Sequence, residues 1–267
     1  MSMFNHKKFL VLLVAVGLLA MTDRAHAFSM GTPDGKLDEW GVTPGAWVTE
    51  GGVRVNKSDW TPFAGIESAP LAGEDFDPTT PGGQVFPGYG GQAFDAEAMY
   101  ATYDSANFYF AIVTGKNTET EYGERPGDIA FDFGNDKSYE YGIETTGADQ
   151  GGAYAVSGWS HSGWEPDVVK EMASVSGALG ADVPLVYNNT WYGSNASGNH
   201  YVIEGYIPIS YFGADWGRPL TMSWTQTCGN DVIQLSVTPT PEPSTIVLLA
   251  IGLGGMLMFR RKLSFLA

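Results

Sequence analysis

The chain has one cysteine, Cys228, in 267 residues, and only 14 lysines and arginines against 30 aspartates and glutamates. A lone thiol cannot close an intrachain disulfide or build a thiolate zinc site or an iron–sulfur cluster, so the fold must stand on its core. So few cations on a chain of formal charge −16 leave no electrostatic footprint for a phosphate backbone, which excludes nucleic acid as a partner. Histidine is scarce too: the central part holds only His161 and His200, too few for a multi-histidine metal site. There is no Gly-x-Ser-x-Gly elbow and no Ser-x-x-Lys, and Cys228 lacks papain-like or caspase-like surroundings. Asp132-Phe133-Gly134 stands without the other kinase segments, and Gly88-Tyr89-Gly90-Gly91 without the Lys-Ser/Thr of a phosphate-cradling loop. Nothing repeats at the period of a solenoid or propeller. These absences predict a protein that is not an enzyme.

The two ends are legible. Residues 1–27 open with Lys7 and Lys8, run apolar from Phe9 to Met21 and close on Ala25-His26-Ala27. A cationic start, a short apolar centre and a small-x-small end predict a signal peptide cut after Ala27, with the Sec translocon and signal peptidase as partners. At the other end, 238–245 form a Pro/Thr linker containing Pro241-Glu242-Pro243, 246–259 are uncharged and apolar, and 260–267 carry Arg260-Arg261-Lys262. The basic tail should stay cytoplasmic, with the preceding residues outside. Fourteen apolar residues make a short transmembrane helix of about 21 Å at 1.5 Å per residue.

Pro-Glu-Pro, an apolar segment and an Arg-rich end in this order resemble the PEP-CTERM sorting signal of Gram-negative bacteria. The resemblance implies recognition by an exosortase, which processes the tail after transient anchoring and passes the protein to the cell envelope, surface or exterior. Such systems accompany exopolysaccharide production. Removing both ends takes six cations and two anions, which leaves 8 against 28 and raises the net charge of the exported part to −20.

Residues 28–237 read as a single domain. β-prone runs lie at Glu97–Tyr103, Phe108–Thr114, Ile129–Phe133, Tyr139–Ile143, Tyr201–Ile207, Leu220–Gln226 and Val232–Val237. The first two, apolar at nearly every position and joined by Asp104-Ser105-Ala106-Asn107, should lie mid-sheet with both faces covered. The stretch Pro166–Leu179 predicts a short helix, with Pro166 in its first turn and Gly180 at its end. One helix among at least seven strands predicts an all-β fold, an antiparallel β-sandwich or jelly roll with long Gly/Pro-rich loops such as 71–95.

The segments Asp34–Trp40, Ala101–Phe110, Asp128–Asp136 and Val202–Pro208 are similar to those of carbohydrate-binding-module family nine and DOMON-like proteins. That resemblance implies a sandwich, often with structural calcium and sometimes with an aromatic sugar site. Calcium needs six to eight oxygens; Asp34, Asp38 and Glu39 are the candidate ligands, with Glu74, Asp75 and Asp77 a second acidic group. Trp159, Trp164, Trp191 and Tyr192 lie in Gly/Ser/Asn-rich contexts suited to stacking on sugar CH groups, which makes them candidate carbohydrate contacts. The expected function is a non-catalytic envelope or extracellular-matrix protein that binds polysaccharide and calcium. The alternatives are a surface protein with no small ligand, or a glycan-active hydrolase using two of its many carboxylates.

Overall fold

The computed structural model describes residues 30–43, 47–50, 53–56, 59–70, 94–120, 123–163, 167–192, 200–229 and 231–239, all within one compact unit, Ser29–Pro239. The expected signal peptide (1–27), apolar segment (246–259) and basic tail lie outside them, as do most of the Gly/Pro-rich loop and the acids at 74, 75 and 77. Among the described residues, no helix is long and apolar enough to cross a membrane.

Thirteen strands run through the described residues: β1 (Trp47–Glu50), β2 (Val53–Asn56), β3 (Glu67–Pro70), β4 (Ala96–Tyr103), β5 (Asn107–Thr114), β6 (Ile129–Phe133), β7 (Tyr141–Ile143), β8 (Ala153–His161), β9 (Val169–Ala178), β10 (Leu185–Tyr192), β11 (His200–Pro208), β12 (Leu220–Thr225) and β13 (Val232–Val237). β1 and β2 form a separate hairpin, and the rest make a five-stranded sheet, β10-β11-β5-β4-β3, and a six-stranded sheet, β13-β12-β6-β7-β8-β9. All named pairings are antiparallel, so the chain is an all-β sandwich. Its core alternates along each strand, with Phe108, Phe110 and Ile112 of β5 facing Ile129, Phe131 and Phe133 of β6 and Met222 and Trp224 of β12. Edge-on ring contacts such as Phe108 to Phe131, 6.0 Å between centroids, supply attraction beyond area burial.

The expectation for β4 and β5 holds. β4 is buried at every position but its last and β5 at every position but its first. One face meets the core. On the other lie Leu37, Trp40 and Val42 of the N-terminal segment, all but inaccessible, with Trp40 tilted 6.2 Å from Tyr100 of β4.

The helix expected over Pro166–Leu179 is instead the strand β9, Val169–Ala178. Its apolar residues recur every third position, the spacing of a helix face. The register to β8 shows why a strand carries that period. Of its four shifts, three each add a residue to β9 and one adds Ser157 to β8, which together set Val169, Met172 and Val175 opposite His161, Trp159 and Val156. Bulged strands mimic helical spacing. They also disrupt the regular ladder of this sheet edge, which blunts it against pairing with other chains.

β6 enters between β12 and β9 through Gly127, whose N–H donates to the Thr225 carbonyl at 3.1 Å while its own carbonyl accepts Thr145 Oγ1 and Trp224 Nε1. A Cβ there would lie 2.5 Å from both the Lys170 and Thr225 carbonyl oxygens. Neither is a flexible side chain. Gly127→Ala is therefore expected to destabilise the protein by about 2–3 kcal/mol, read as a lower urea midpoint at unchanged slope. An unaltered midpoint would show that the three segments part without cost.

Candidate functional site

The acidic cluster expected near residues 34–39 is assembled differently from its sequence spacing. Asp34 and Glu39 converge with Glu204 of β11, one carboxylate oxygen of each lying within 4.8 Å of the others; Asp38 is not part of this group. Asp38 opens a single 3₁₀ turn, Asp38–Trp40, that Gly41 closes in the left-handed region at φ 76°. That turn carries the Glu39 carboxyl and the Trp40 indole toward the sheet. Gly35, at φ 73° and so close to β10 that a Cβ would sit 2.6 Å from Asn188 Cβ, lets the Asp34–Lys36 backbone lie down on β11.

Glu204 is the hub. Its Oε2 accepts the Asp34 and Gly35 N–H groups, each at 2.8 Å, and its Oε1 accepts Trp40 Nε1 at 3.2 Å. It is 3% exposed, and Glu39 hydrogen-bonds to it. Two carboxyl groups can share a hydrogen bond only if one holds a proton. Burial, with Glu39 adding to it against the two backbone donors, pushes Glu204 up to about 7. Asp34, at the rim, is ion-paired to Lys36 at 2.7 Å. The missed residue had a sequence signal: Glu204 is the one acid in the apolar run Tyr201–Ile207, where only a partnered charge is tolerated.

A second group, Asp132, Asp136 and Glu140, lies at the loop after β6. Here the carboxylates are already served. Asp132 accepts the Asp136 and Lys137 N–H groups, Asp136 accepts Ser138 N–H, Glu140 accepts Phe133 N–H, and the one Ser138 hydroxyl proton lies between Asp136 at 2.6 Å and Glu140 at 2.9 Å. The Ser138 bonds hold Asp136 below the usual carboxylate range. Positive φ at Asn135, Lys137 and Tyr139 shapes this self-satisfied turn.

Among the aromatic candidates, Trp159 of β8 is half-buried, donates Nε1 to the Tyr139 carbonyl at 2.7 Å and meets the Tyr139 ring edge-on at 6.3 Å. It packs over Ala130, Tyr139 and Val169 on the outer face of the six-stranded sheet. Trp164 lies outside the described residues, and Trp191 and Tyr192 are placed by backbone alone, at the end of β10. The structure does not gather these four into one described surface.

Hard oxygen donors without histidine or thiolate fit calcium rather than zinc. The Asp34–Glu39–Glu204 group fits better than the Asp132 loop, because its buried hub Glu204, although it serves three N–H groups, is also pushed up by the neighbouring Glu39, a crowding of like groups that a cation would relieve.

Comparison of the chain with curated proteins and with solved structures returned no match, so the likeness to carbohydrate-binding-module family nine and DOMON-like proteins rests on the short segments quoted above. Residues 239–262 match the PEP-CTERM protein-sorting motif, which takes in Pro241, Glu242, Pro243, Arg260, Arg261 and Lys262. The chain therefore carries a PEP-CTERM sorting signal, which marks it as an exported, exosortase-processed surface protein with a transient C-terminal anchor.

Proposed function

We propose that the sandwich is a non-catalytic module of the cell envelope or matrix that takes up calcium at Asp34, Glu39 and Glu204 and engages extracellular polysaccharide. The observation that carries the calcium reading is the convergence of those three carboxylates, with Lys36 the cation paired at their rim. A divalent ion replaces the proton between Glu39 and Glu204 and offsets charge in a domain of net −20. It also ties the N-terminal segment to β11. Polysaccharide is supported by the sorting signal's usual company and by the outer sheet face around Trp159, where Thr221, Gln234 and Ser236 offer polar groups.

Calcium titration of the full-length chain, followed by calorimetry and thermal unfolding, tests the reading. Saturable uptake with a rise in Tm is expected, lost in Glu204→Gln and insensitive to Asp38→Asn. Titration with no heat and no shift would overturn it, as would a shift that survives Glu204→Gln. Polysaccharide binding is read separately, with and without calcium, and against Trp159→Ala.

A further inference from the structure

At the end of the sandwich opposite the chain's exit at Pro239 lies a cavity of about 370 Å³, lined among others by Arg125, Asp128, Glu144, Asp149, Glu171 and Met172. Three elements meet there. Asp128, just before β6, donates its backbone N–H to the Lys170 carbonyl at 2.8 Å and accepts the Met172 N–H on Oδ2 at 2.9 Å, so it holds the start of β9 from both sides. Glu144, just after β7, is hydrogen-bonded to the same carboxyl group. Asp128 is 5% exposed. As in any such contact between two carboxyls, one must carry a proton.

We propose that the Asp128–Glu144 pair is a proton-operated latch: the shared proton holds the start of β9 against β6 and β7, and its loss sets the two carboxylates against each other and releases the Lys170–Met172 stretch. The charged surroundings favour release once the proton is gone. Glu171 faces Asp128 from β9 and Asp149 lines the cavity from the loop after β7. Arg125 is the cation there, already committed to Glu171 at 2.6 Å. Thr225 at the end of β12 and Gln226 just after it, which are uncharged, pair with Gly127 and Pro126 beside Asp128. Lys170 contributes its backbone carbonyl. Burial, then Glu144, then Glu171, push Asp128 up to about 8 against the Met172 N–H that favours its charged form, so the latch works at the alkaline edge of the physiological range.

Hydrogen exchange of the full-length chain in mild detergent with chelator, followed by mass spectrometry from pH 6 to pH 9.5, tests the latch. After correction for the intrinsic rise of exchange with pH, the peptide spanning 167–178 is expected to lose protection by about tenfold or more between pH 7 and pH 9, while β4 and β5 keep theirs. Glu144→Gln and Asp128→Asn each put a neutral amide donor where the proton was, and each is expected to abolish the step. Constant protection of the wild-type 167–178 peptide overturns the proposal. So does a step that persists in either variant, whichever of the two folds, and so does a loss of protection that spreads equally to β4 and β5.

Discussion

Thermal unfolding in chelator is expected to move down by about 10 °C between pH 5 and pH 8, so that the protein is more stable in mild acid than at neutrality. Three buried carboxyls set the sign. Burial raises Asp128 to about 8, Glu204 to about 7 and Asp231, which accepts the Ala96 N–H at 2.5 Å, to about 6. In the unfolded chain all three titrate near 4. Between pH 4 and pH 8 the folded protein therefore binds more protons than the unfolded one, and stability falls as pH rises through that window. Each unit of difference is worth about 1.4 kcal/mol, so half of the indicated shifts realised over three pH units still amounts to about 4 kcal/mol. For a domain of this size that is about 10 °C in Tm.

Self-repulsion at −20 acts in the same direction, and salt separates the two. At about 0.5 M sodium chloride the repulsion between exposed charges is largely screened, while the buried groups keep their shifts, so most of the pH dependence is expected to remain. Calcium, if taken up at Asp34, Glu39 and Glu204 as proposed, is expected to remove part of it by displacing the Glu39–Glu204 proton. A Tm that climbs from pH 5 to pH 8, as in proteins whose acids are held ionised by cations, would refute the account.

Sheet content was legible wherever one strand obeys one rule. β4 and β5 are apolar at nearly every position because both faces are covered, and β6 alternates Ile129, Phe131 and Phe133 inward, so period and burial agree. β9 was not legible, because its bulges turn a period of two into one of three. β8, with Gly158 and serines among its apolar residues, lacks the density of β-branched side chains that marks a strand. Part of the Asp34–Glu39–Glu204 cluster could be read locally, since Asp34 and Glu39 lie five residues apart. Asp38 lies between them in sequence but does not join them in space, because the 3₁₀ turn carries Glu39, not Asp38, toward β11. The Asp128–Glu144 contact is a matter of tertiary closure. The turn formers Gly134-Asn135-Asp136 between the runs Ile129–Phe133 and Tyr139–Ile143 do announce a return of the chain, but not the register Ile129 to Ile143 that sets the residue after β7 beside the residue before β6.

Glu204→Ala is expected to cost about 3–5 kcal/mol at pH 6 and to free the N-terminal segment from the sheet. The side chain is the acceptor for three N–H groups, those of Asp34, Gly35 and the Trp40 indole, and Trp40 is fully buried on Tyr100. Truncation leaves these donors facing a cavity, and each buried orphan costs about 1–3 kcal/mol. Glu204→Gln differs in kind. Its amide oxygen still serves Asp34 and Gly35 and its amide nitrogen donates to Glu39, but that nitrogen then opposes the Trp40 N–H. A smaller loss, about 1 kcal/mol, is expected at pH 6, and it should shrink toward pH 8, where wild-type Glu204 loses its proton and the Gln variant has none to lose. Limited proteolysis gives the local readout. In Glu204→Ala, cleavage should begin between Met30 and Val42 under conditions that leave wild type intact, because the segment rests on β11 through this one carboxylate and on β4 through Trp40. If the Ala variant stays within about 1 kcal/mol of wild type and resists protease at those residues, the apolar contacts of Leu37, Trp40 and Val42 hold the cover alone.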